Sequence, residues 1–179
     1  MILFYQVVLR ADSIARILVI GPSGSGKTFI SETLQKEGIN AVDADTIVGL
    51  HSWYSRGRKV KRPEKLTKTF IRSHSFLWDR VFLVKYLKNK PNIYLFGLSG
   101  NIFDATDLFD RVYFLKVDSN VIIKRLVHPN RKNDMGKKKY QQKAVISYKK
   151  MIEEKAKSLG IPFVDGHLTP KEIFERISS

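Results

Sequence analysis

A glycine-rich turn that joins an apolar run to a helical pattern restricts the fold of this chain more than any other segment. Residues 21–28 read GPSGSGKT and fit G-x-x-x-x-G-K-[ST], the pattern of a phosphate-binding P-loop. Glycines allow backbone N–H groups to approach an oxyanion, and the N-terminal end of the next helix adds positive potential. The apolar run 17–20 before the turn and the helical spacing of 29–36 after it supply the context that this motif requires.

Backbone and side-chain groups of this turn are predicted to bind the phosphates of a nucleotide. The predicted contacts come from Gly21, Ser23, Gly24, Ser25, Gly26, Lys27 and Thr28. Lys27 is expected to reach the β- and γ-phosphates as a catalytic residue, and the Thr28 hydroxyl is expected to ligate Mg²⁺. The alternative is a glycine-rich turn with a chance lysine, and the strand and helix on either side argue against it.

Two carboxylates follow the second predicted strand. The run 39–42 is short and apolar, and Asp43 and Asp45 come directly after it. Open α/β sheets bind ligands at the C-terminal ends of their strands. Asp43 is therefore predicted to support Mg²⁺ or to accept a proton, and Asp45 to contact an acceptor substrate. The alternative for both residues is N-capping of a helix that begins near Thr46.

Residues 46–73, here called the acceptor-side insert, are basic and include aromatic residues. Eight cations are opposed only by Glu64: Arg56, Arg58, Lys59, Lys61, Arg62, Lys65, Lys68 and Arg72. Trp53 and Arg56 are candidates for substrate contact. Three interpretations stay open: a lid over an anionic acceptor, a groove in which nucleic-acid bases stack on aromatic rings, or an ordinary solvated loop.

Residues 128–139 contain Pro, Asn and Gly and are predicted to form a second mobile element, here called the lid segment. Arg125 lies near the end of the preceding predicted helix, and Arg131 lies within the segment. Both arginines are predicted to be catalytic, closing over a triphosphate and stabilising the charge that develops in phosphoryl transfer. The alternative is that they only increase surface solubility.

The rest of the chain alternates between helical and strand patterns. Residues 75–89 are predicted to be one helix with Leu77, Val81, Val84 and Leu87 on its inner face. Further strands are expected at 92–96, 111–117 and 161–164, and Thr169 and Glu172 form a capping-box pattern before the last helix. This alternation predicts a parallel, doubly wound α/β sheet. Many P-loop proteins carry a metal-binding Asp after the third strand, where this chain has Gly97, so that role passes to Asp43.

Composition limits the partners and the compartment. The 179 residues carry 32 Lys and Arg against 17 Asp and Glu, a net charge of +15, so anionic partners are expected. The chain has no cysteine, which excludes disulfides and thiolate chemistry and favours a reducing, cytoplasmic location. No apolar run is long enough to span a bilayer, so no membrane partner is expected. The first ten residues are expected to form a strand or packed extension rather than a signal peptide.

Together these features resemble the P-loop kinases of the nucleoside and nucleotide kinase group, which includes shikimate, gluconate and adenylate kinases. Asp43 and Asp45 are similar to the D-x-D motif of shikimate kinases, and GLSGN at 97–101, FDRVYFL at 109–115 and R-x-N-x-x-GK at 131–137 are similar to small kinases of the group. The resemblance covers residues 16–179. It implies a P-loop NTPase domain with a five-stranded parallel sheet in the order 2-3-1-4-5, flanked by helices and carrying a lid. It also implies ATP as the phosphate donor.

The leading hypothesis is an ATP-dependent phosphotransferase that uses Mg²⁺ and acts on a small anionic or hydroxylated acceptor, a nucleoside or nucleotide above all. One alternative is a kinase for the 5′-hydroxyl ends of polynucleotides. Another is a nucleotide-gated, nucleic-acid-binding protein with little catalysis. The basic surface predicts weak, salt-dependent binding of single-stranded nucleic acid in any of these cases.

Overall fold

The computed structural model describes residues 14–129, 131 and 135–179. The expected strand or extension formed by the first ten residues lies outside these described residues. Eight strands are present in the described part: β1 Arg16–Ile20, β2 Ala41–Asp43, β3 His51–Ser55, β4 Arg58–Val60, β5 Ser75–Trp78, β6 Ile93–Gly97, β7 Arg111–Lys116 and β8 Phe163–Asp165. They form two sheets, a parallel one of five strands and an antiparallel one of three.

The parallel sheet has the order β2-β6-β1-β7-β8. When only the strands of this sheet are numbered along the chain, the order becomes 2-3-1-4-5, which confirms the expected topology. β3, β4 and β5 are the additional strands, and they form the antiparallel sheet in the order β4-β3-β5.

Helices cover both faces of the parallel sheet. They are α1 Lys27–Lys36, α2 Lys68–Ser73, α3 Arg80–Leu87, α4 Ser119–Leu126, α5 Lys139–Ser158 and α6 Pro170–Ser178, with short 3₁₀ helices at Ala44–Thr46 and Ile102–Leu108. Side chains of β1 alternate between two apolar layers: Ile17 and Val19 pack with α1 and α6, and Leu18 and Ile20 pack with α3 and α5. A strand buried on both faces needs a continuous apolar run, which explains the sequence of β1.

The last helix begins as its sequence pattern predicts. The Thr169 hydroxyl accepts a hydrogen bond from the Glu172 amide at 3.3 Å, and the Glu172 carboxylate accepts one from the Thr169 amide at 2.8 Å. These bonds satisfy amide donors that have no partner within the helix, so the predicted capping box is confirmed.

The acceptor-side insert is ordered rather than an irregular loop. It forms the β3–β4 hairpin and α2, and the antiparallel sheet extends beyond residue 73 through β5. The single helix predicted for residues 75–89 is therefore wrong in its first part, where Ser75–Trp78 is a strand, and α3 begins only at Arg80. Val81 and Val84, predicted to face inward, are 66% and 47% exposed.

Non-local hydrogen bonds explain why the chain is extended before α3. The Trp78 amide donates to the Asn101 side-chain oxygen at 2.9 Å, and the Asn101 side-chain nitrogen donates to the Trp78 carbonyl at 3.0 Å. The Asp79 amide donates to the Leu50 carbonyl at 2.7 Å, and the Asp79 carboxylate caps α3 by accepting from the Phe82 amide at 2.9 Å. A helix through Trp78 would lose these partners and the pairing with β3.

Candidate active site

The P-loop joins β1 to α1 at the C-terminal edge of the parallel sheet. Gly24 and Gly26 have φ values of +84° and +105°, a region that residues with a Cβ rarely adopt. Gly26 is the N-cap of α1, and the amide N–H groups of Gly26, Lys27 and Thr28 have no backbone acceptor within the described residues. The loop therefore presents several hydrogen-bond donors together with the positive end of a helix.

Lys27 is folded back over the loop. Its Nζ donates to the carbonyls of Gly21 at 2.7 Å and Pro22 at 3.1 Å, and the side chain is half-buried. Burial lowers the pKa of Lys27, the carboxylates of Asp45 and Asp43 act in the opposite direction, and the positive charge of Arg131 lowers the pKa further. The charges of all four residues thus interact at this edge of the sheet.

The two carboxylates after β2 occupy different environments. Asp43 is buried, and its Oδ1 accepts a hydrogen bond from the Asp45 amide at 2.9 Å, so Asp43 caps the 3₁₀ helix Ala44–Thr46. Asp45 does not cap a helix. Its side chain lines the neighbouring cavity. Nearby protein atoms remove part of the hydration of its carboxylate and so raise the pKa of Asp45, and the negative charge of Asp43 raises that pKa further. Lys27 and His51 act to lower the pKa of Asp45.

The two predicted catalytic arginines contact the site from different elements. Arg125 lies in α4, and its guanidinium donates to the Ser25 carbonyl at 2.9 Å and to the Gly166 carbonyl at 3.5 Å. It therefore links the P-loop to the segment after β8. Arg131 belongs to the lid segment and donates to the Met135 carbonyl, and its charge acts on Lys27.

A cavity of about 880 Å³ lies beside the P-loop. Its walls come from the P-loop and Asp45, the antiparallel sheet and α2, the segment after β6, and the lid segment with α5. The lining residues are Pro22, Ser23, Lys27, Asp45, His51, Trp53, Arg62, Leu66, Ile71, Arg72, His74, Ser75, Phe76, Leu98, Ser99, Gly100, Met135, Ala144, Val145, Ser147, Tyr148 and Met151. Its size is typical of small-molecule sites.

Aromatic side chains form one wall of this cavity. His51 and Trp53 project from β3 and Phe76 from β5, and this group of three is here called the aromatic wall. The Phe76 ring lies 4.8 Å from the His51 ring and 5.4 Å from the Trp53 ring, centroid to centroid, and Phe70 packs behind at 5.1 Å from Trp53. The structure thus places Trp53 at the cavity. Arg56 lies at the exposed turn between β3 and β4 and is not among the lining residues.

Several lining residues were not predicted from the sequence. His51, Phe76, Arg62 and Tyr148 reach the cavity from four different elements or connections. The alternation in HSWYS at 51–55 is a strand signal that could have placed His51 and Trp53 on one face. No local signal marks Tyr148, whose hydroxyl donates to the carbonyl of Ser99, another lining residue, at 3.0 Å.

The packing around Gly97 explains why the end of β6 has a glycine where many P-loop proteins have an acidic residue. A Cβ at this position would lie 2.4 Å from the Trp78 ring and 2.7 Å from the Ala44 Cβ. The space that a metal-binding Asp would need is filled by Trp78. Asp43 and Asp45, which follow β2, are carboxylates whose charges act on Lys27 of the P-loop.

The residues that could hold a metal ion here are few. Within residues 14–129, 131 and 135–179, no three His, Asp or Glu side chains form a metal-binding group. Mg²⁺ in phosphate-transfer sites commonly has one or two carboxylate ligands and takes its other ligands from phosphates and water. A hydroxyl from Thr28 and a carboxylate from Asp43 are compatible with that type of site.

Comparisons with known proteins identify the fold. No protein-family model matches this chain, and no curated protein is significantly similar to it. Among solved structures, deoxyadenosine kinase from M. mycoides with bound dATP has a TM-score of 0.50 and 17% identity, over 90% of this chain and 96% of that one. A gluconokinase from Sinorhizobium meliloti 1021 has a TM-score of 0.52 and 14% identity, over 92% of this chain and 90% of that one.

These neighbours are P-loop kinases of nucleosides and small molecules, so the resemblance found in the sequence is confirmed for the fold. The α/β architecture with a five-stranded parallel sheet flanked by helices is the fold of that group. None of the helices in the described residues has the length and apolar character of a membrane span.

Proposed function

We propose that this protein is an ATP-dependent kinase that phosphorylates a nucleoside or nucleotide. The observation that carries the proposal is a single cavity with the P-loop and Asp45 at one side and the aromatic wall at another. Groups suited to phosphate binding and groups suited to base stacking thus line the same cavity. The two solved neighbours compared above are a deoxyadenosine kinase and a gluconokinase, and their names support a small hydroxylated acceptor for this chain as well.

The loop has the features that a triphosphate requires. Gly24 and Gly26 adopt left-handed conformations, and the first helical amides lack backbone acceptors within the described residues. Lys27 now donates to two loop carbonyls, and exchanging them for phosphate oxygens would need only movement of its flexible end. Phosphate charge would also favour the protonated form that burial disfavours. Arg125 holds the loop through Ser25, and Arg131 adds positive charge near Lys27.

Thr28 and Asp43 would hold Mg²⁺, which supplies charge neutralisation to the transferring phosphate. One carboxylate oxygen of Asp43 accepts a hydrogen bond from the Asp45 amide, and the other oxygen has no hydrogen-bond donor in the described part of the chain. That second oxygen is available to a metal ligand or to a proton from the acceptor hydroxyl. Asp45, at the cavity surface, would orient the acceptor.

The aromatic wall favours a nucleobase over a sugar acid as the main recognition element. Any planar nucleobase can stack on an aromatic ring, whichever base it is. Arg62 and Arg72 line the same cavity and have no carboxylate partner among the described residues. Their positive charges could therefore pair with a phosphate group on the acceptor. The insert thus supports the nucleoside and the nucleotide versions of the proposal.

The test is a product screen with ATP and Mg²⁺. Acceptors should include nucleosides, nucleoside monophosphates, gluconate and other small hydroxylated metabolites, and 5′-hydroxyl oligonucleotides. We expect the highest kcat/KM with a nucleoside or nucleotide, and a Trp53→Leu variant should raise KM for that acceptor while leaving KM for ATP unchanged. Faster labelling of oligonucleotides would favour the polynucleotide kinase alternative. Steeply salt-dependent nucleic-acid binding without any turnover would favour the binding-protein alternative.

A further inference from the structure

Carboxylate and guanidinium groups line different parts of the cavity beside the P-loop. Asp45 is the only acidic residue among the described residues that line it, and the charge of Asp45 acts on Lys27 of the P-loop. Arg62 and Arg72 line the cavity from the acceptor-side insert, and neither has a carboxylate partner within the described residues. Their charges are therefore available to an anionic group of a ligand.

Strand β3 orders these groups along the cavity. His51 Nε2 lies 3.2 Å from the Asp45 carbonyl oxygen, so the first residue of β3 marks the end of the aromatic wall that is nearest Asp45. Trp53 lies on the same face two residues further, which is about 7 Å along a strand. Phe70 of α2 packs against Trp53 at 5.1 Å, and Arg72 belongs to the same short helix. The aromatic wall therefore lies between Asp45 and Arg72.

The second arginine approaches the aromatic wall from the other neighbour of β3. Arg62 follows β4 by two residues, and Val60 of β4 pairs with Trp53. On its other side Trp53 pairs with Phe76 of β5, the strand that follows α2. The two cavity arginines thus come from connections on opposite sides of β3, and both accompany the aromatic wall.

The two cavity arginines are remote from the phosphate-binding lysine. The charges that change the pKa of Lys27 are those of Asp45, Asp43 and Arg131, and neither cavity arginine is among them. An acceptor phosphate bound by the cavity arginines is therefore not the group that lies next to Lys27. The group next to Lys27 faces the Asp45 carboxylate, which suits a hydroxyl, because a carboxylate accepts a hydrogen bond from a hydroxyl and repels a phosphate.

We infer that the acceptor is a mononucleotide that reacts through a sugar hydroxyl, while its own phosphate is bound by Arg62 and Arg72 and is not the group that is phosphorylated. This inference rests on the proposed function and narrows it to one class of acceptor. The aromatic wall, between the two ends of the cavity, would stack on the base.

The transfer then has a defined balance. The acceptor hydroxyl oxygen forms a bond to the γ-phosphorus of ATP, the bond between that phosphorus and the β–γ bridging oxygen breaks, and ADP leaves. The hydroxyl proton passes to one of the two carboxylates that follow β2. The product is a nucleoside bisphosphate with two separate phosphomonoesters, whereas transfer to the acceptor phosphate would give a nucleoside diphosphate.

The product of the wild-type enzyme identifies the group that was phosphorylated. The protein is incubated with ATP, Mg²⁺ and each of the four ribonucleosides, their 3′-monophosphates and their 5′-monophosphates, and each purified product is examined by ³¹P NMR. We expect a monophosphate to be the best acceptor and its product to show two phosphomonoester signals. A product with the ³¹P–³¹P coupling of an anhydride would overturn the inference. A nucleoside with a higher kcat/KM than any monophosphate would overturn it as well.

Substitution of the cavity arginines tests whether they bind the acceptor phosphate. Arg62→Gln and Arg72→Gln should each raise KM for the best monophosphate, and its Kd measured by calorimetry, by about tenfold, because a hydrogen bond to a charged group contributes at least that factor. KM for ATP and the Kd of the matching nucleoside should not change. Arg58→Gln is the matched control, because Arg58 is an exposed residue of β4 that does not line the cavity, and the substitution removes the same charge.

The outcomes separate this inference from the kinase proposal. A rise in KM for the monophosphate that is equal in Arg58→Gln, or an equal weakening of nucleoside binding in the cavity variants, would indicate a general effect of charge or folding and would overturn the inference. A diphosphate product would also overturn it, and in each of these cases the kinase proposal would stand. No product with any acceptor of the screen would overturn the kinase proposal itself.

Discussion

Replacing Asp43 by asparagine tests whether this residue acts in catalysis or only caps a turn. The side chain is 7% exposed, and its Oδ1 accepts from the Asp45 amide at 2.9 Å. Asparagine has nearly the same shape and can keep this hydrogen bond, so the fold should be retained while the negative charge is lost. A positioned proton acceptor typically contributes about 10²- to 10⁴-fold to kcat. At 1.36 kcal/mol per tenfold change, that range corresponds to about 2.7–5.4 kcal/mol of transition-state stabilisation.

The assay is steady-state phosphoryl transfer at saturating ATP and acceptor, paired with urea unfolding of each variant. We expect Asp43→Asn to unfold like the wild type, with kcat reduced by at least about a hundredfold. Asp43→Ala, which also removes the cap, should lose about 1 kcal/mol of stability in addition. A kcat within tenfold of the wild type in a folded Asp43→Asn protein would refute the catalytic role and leave only the capping role.

Three further changes test separate parts of the site. Lys27→Ala should abolish phosphoryl transfer without unfolding the protein, as judged by circular dichroism, because the Lys27 ammonium hydrogen-bonds to loop carbonyls and the side chain belongs to neither apolar layer. Substantial turnover in the folded variant would contradict the P-loop assignment. Gly97→Ala should destabilise the protein by about 1–3 kcal/mol or more in urea unfolding, since its Cβ would lie 2.4 Å from the Trp78 ring; an unchanged midpoint would mean that the indole repacks freely. Asp45→Asn should raise the acceptor KM. The substitution should also stabilise the fold more at pH 7 than at pH 4. In the wild type, the folded state raises the pKa of Asp45 above its ordinary value of 3.8, so the protonated carboxyl favours folding at low pH. The wild type loses this contribution as the pH rises through the raised pKa, whereas the neutral asparagine of the variant does not titrate. A pH-independent difference between wild type and variant would argue against this.

The acceptor-side insert illustrates where prediction from the sequence stops. The sequence shows the basic composition of the insert and the presence of Trp53, but it does not show which strands pair. The strands are short, and Trp53 of β3 pairs with Val60 of β4 on one side and with Phe76 of β5, more than twenty residues away, on the other. Residues 75–78 fit a helical spacing equally well, and they are extended because Asn101 and Leu50 bind the backbone of residues 78 and 79. Such contacts between segments override local propensity.

The sequence by itself determined the P-loop, the order of the parallel strands through the family resemblance, and the capping box of α6. The P-loop and the capping box depend on residues close together in the chain. The parallel sheet is indicated by continuous apolar runs, which are typical of strands with helices on both faces. The tertiary structure alone decided the filling of the space at Gly97 by Trp78 and the hydrogen bond from the Gln141 side chain to the Leu66 carbonyl. Those features depend on which side chains meet after the sheet and its helices have packed, and the linear pattern of the chain carries no record of those distances.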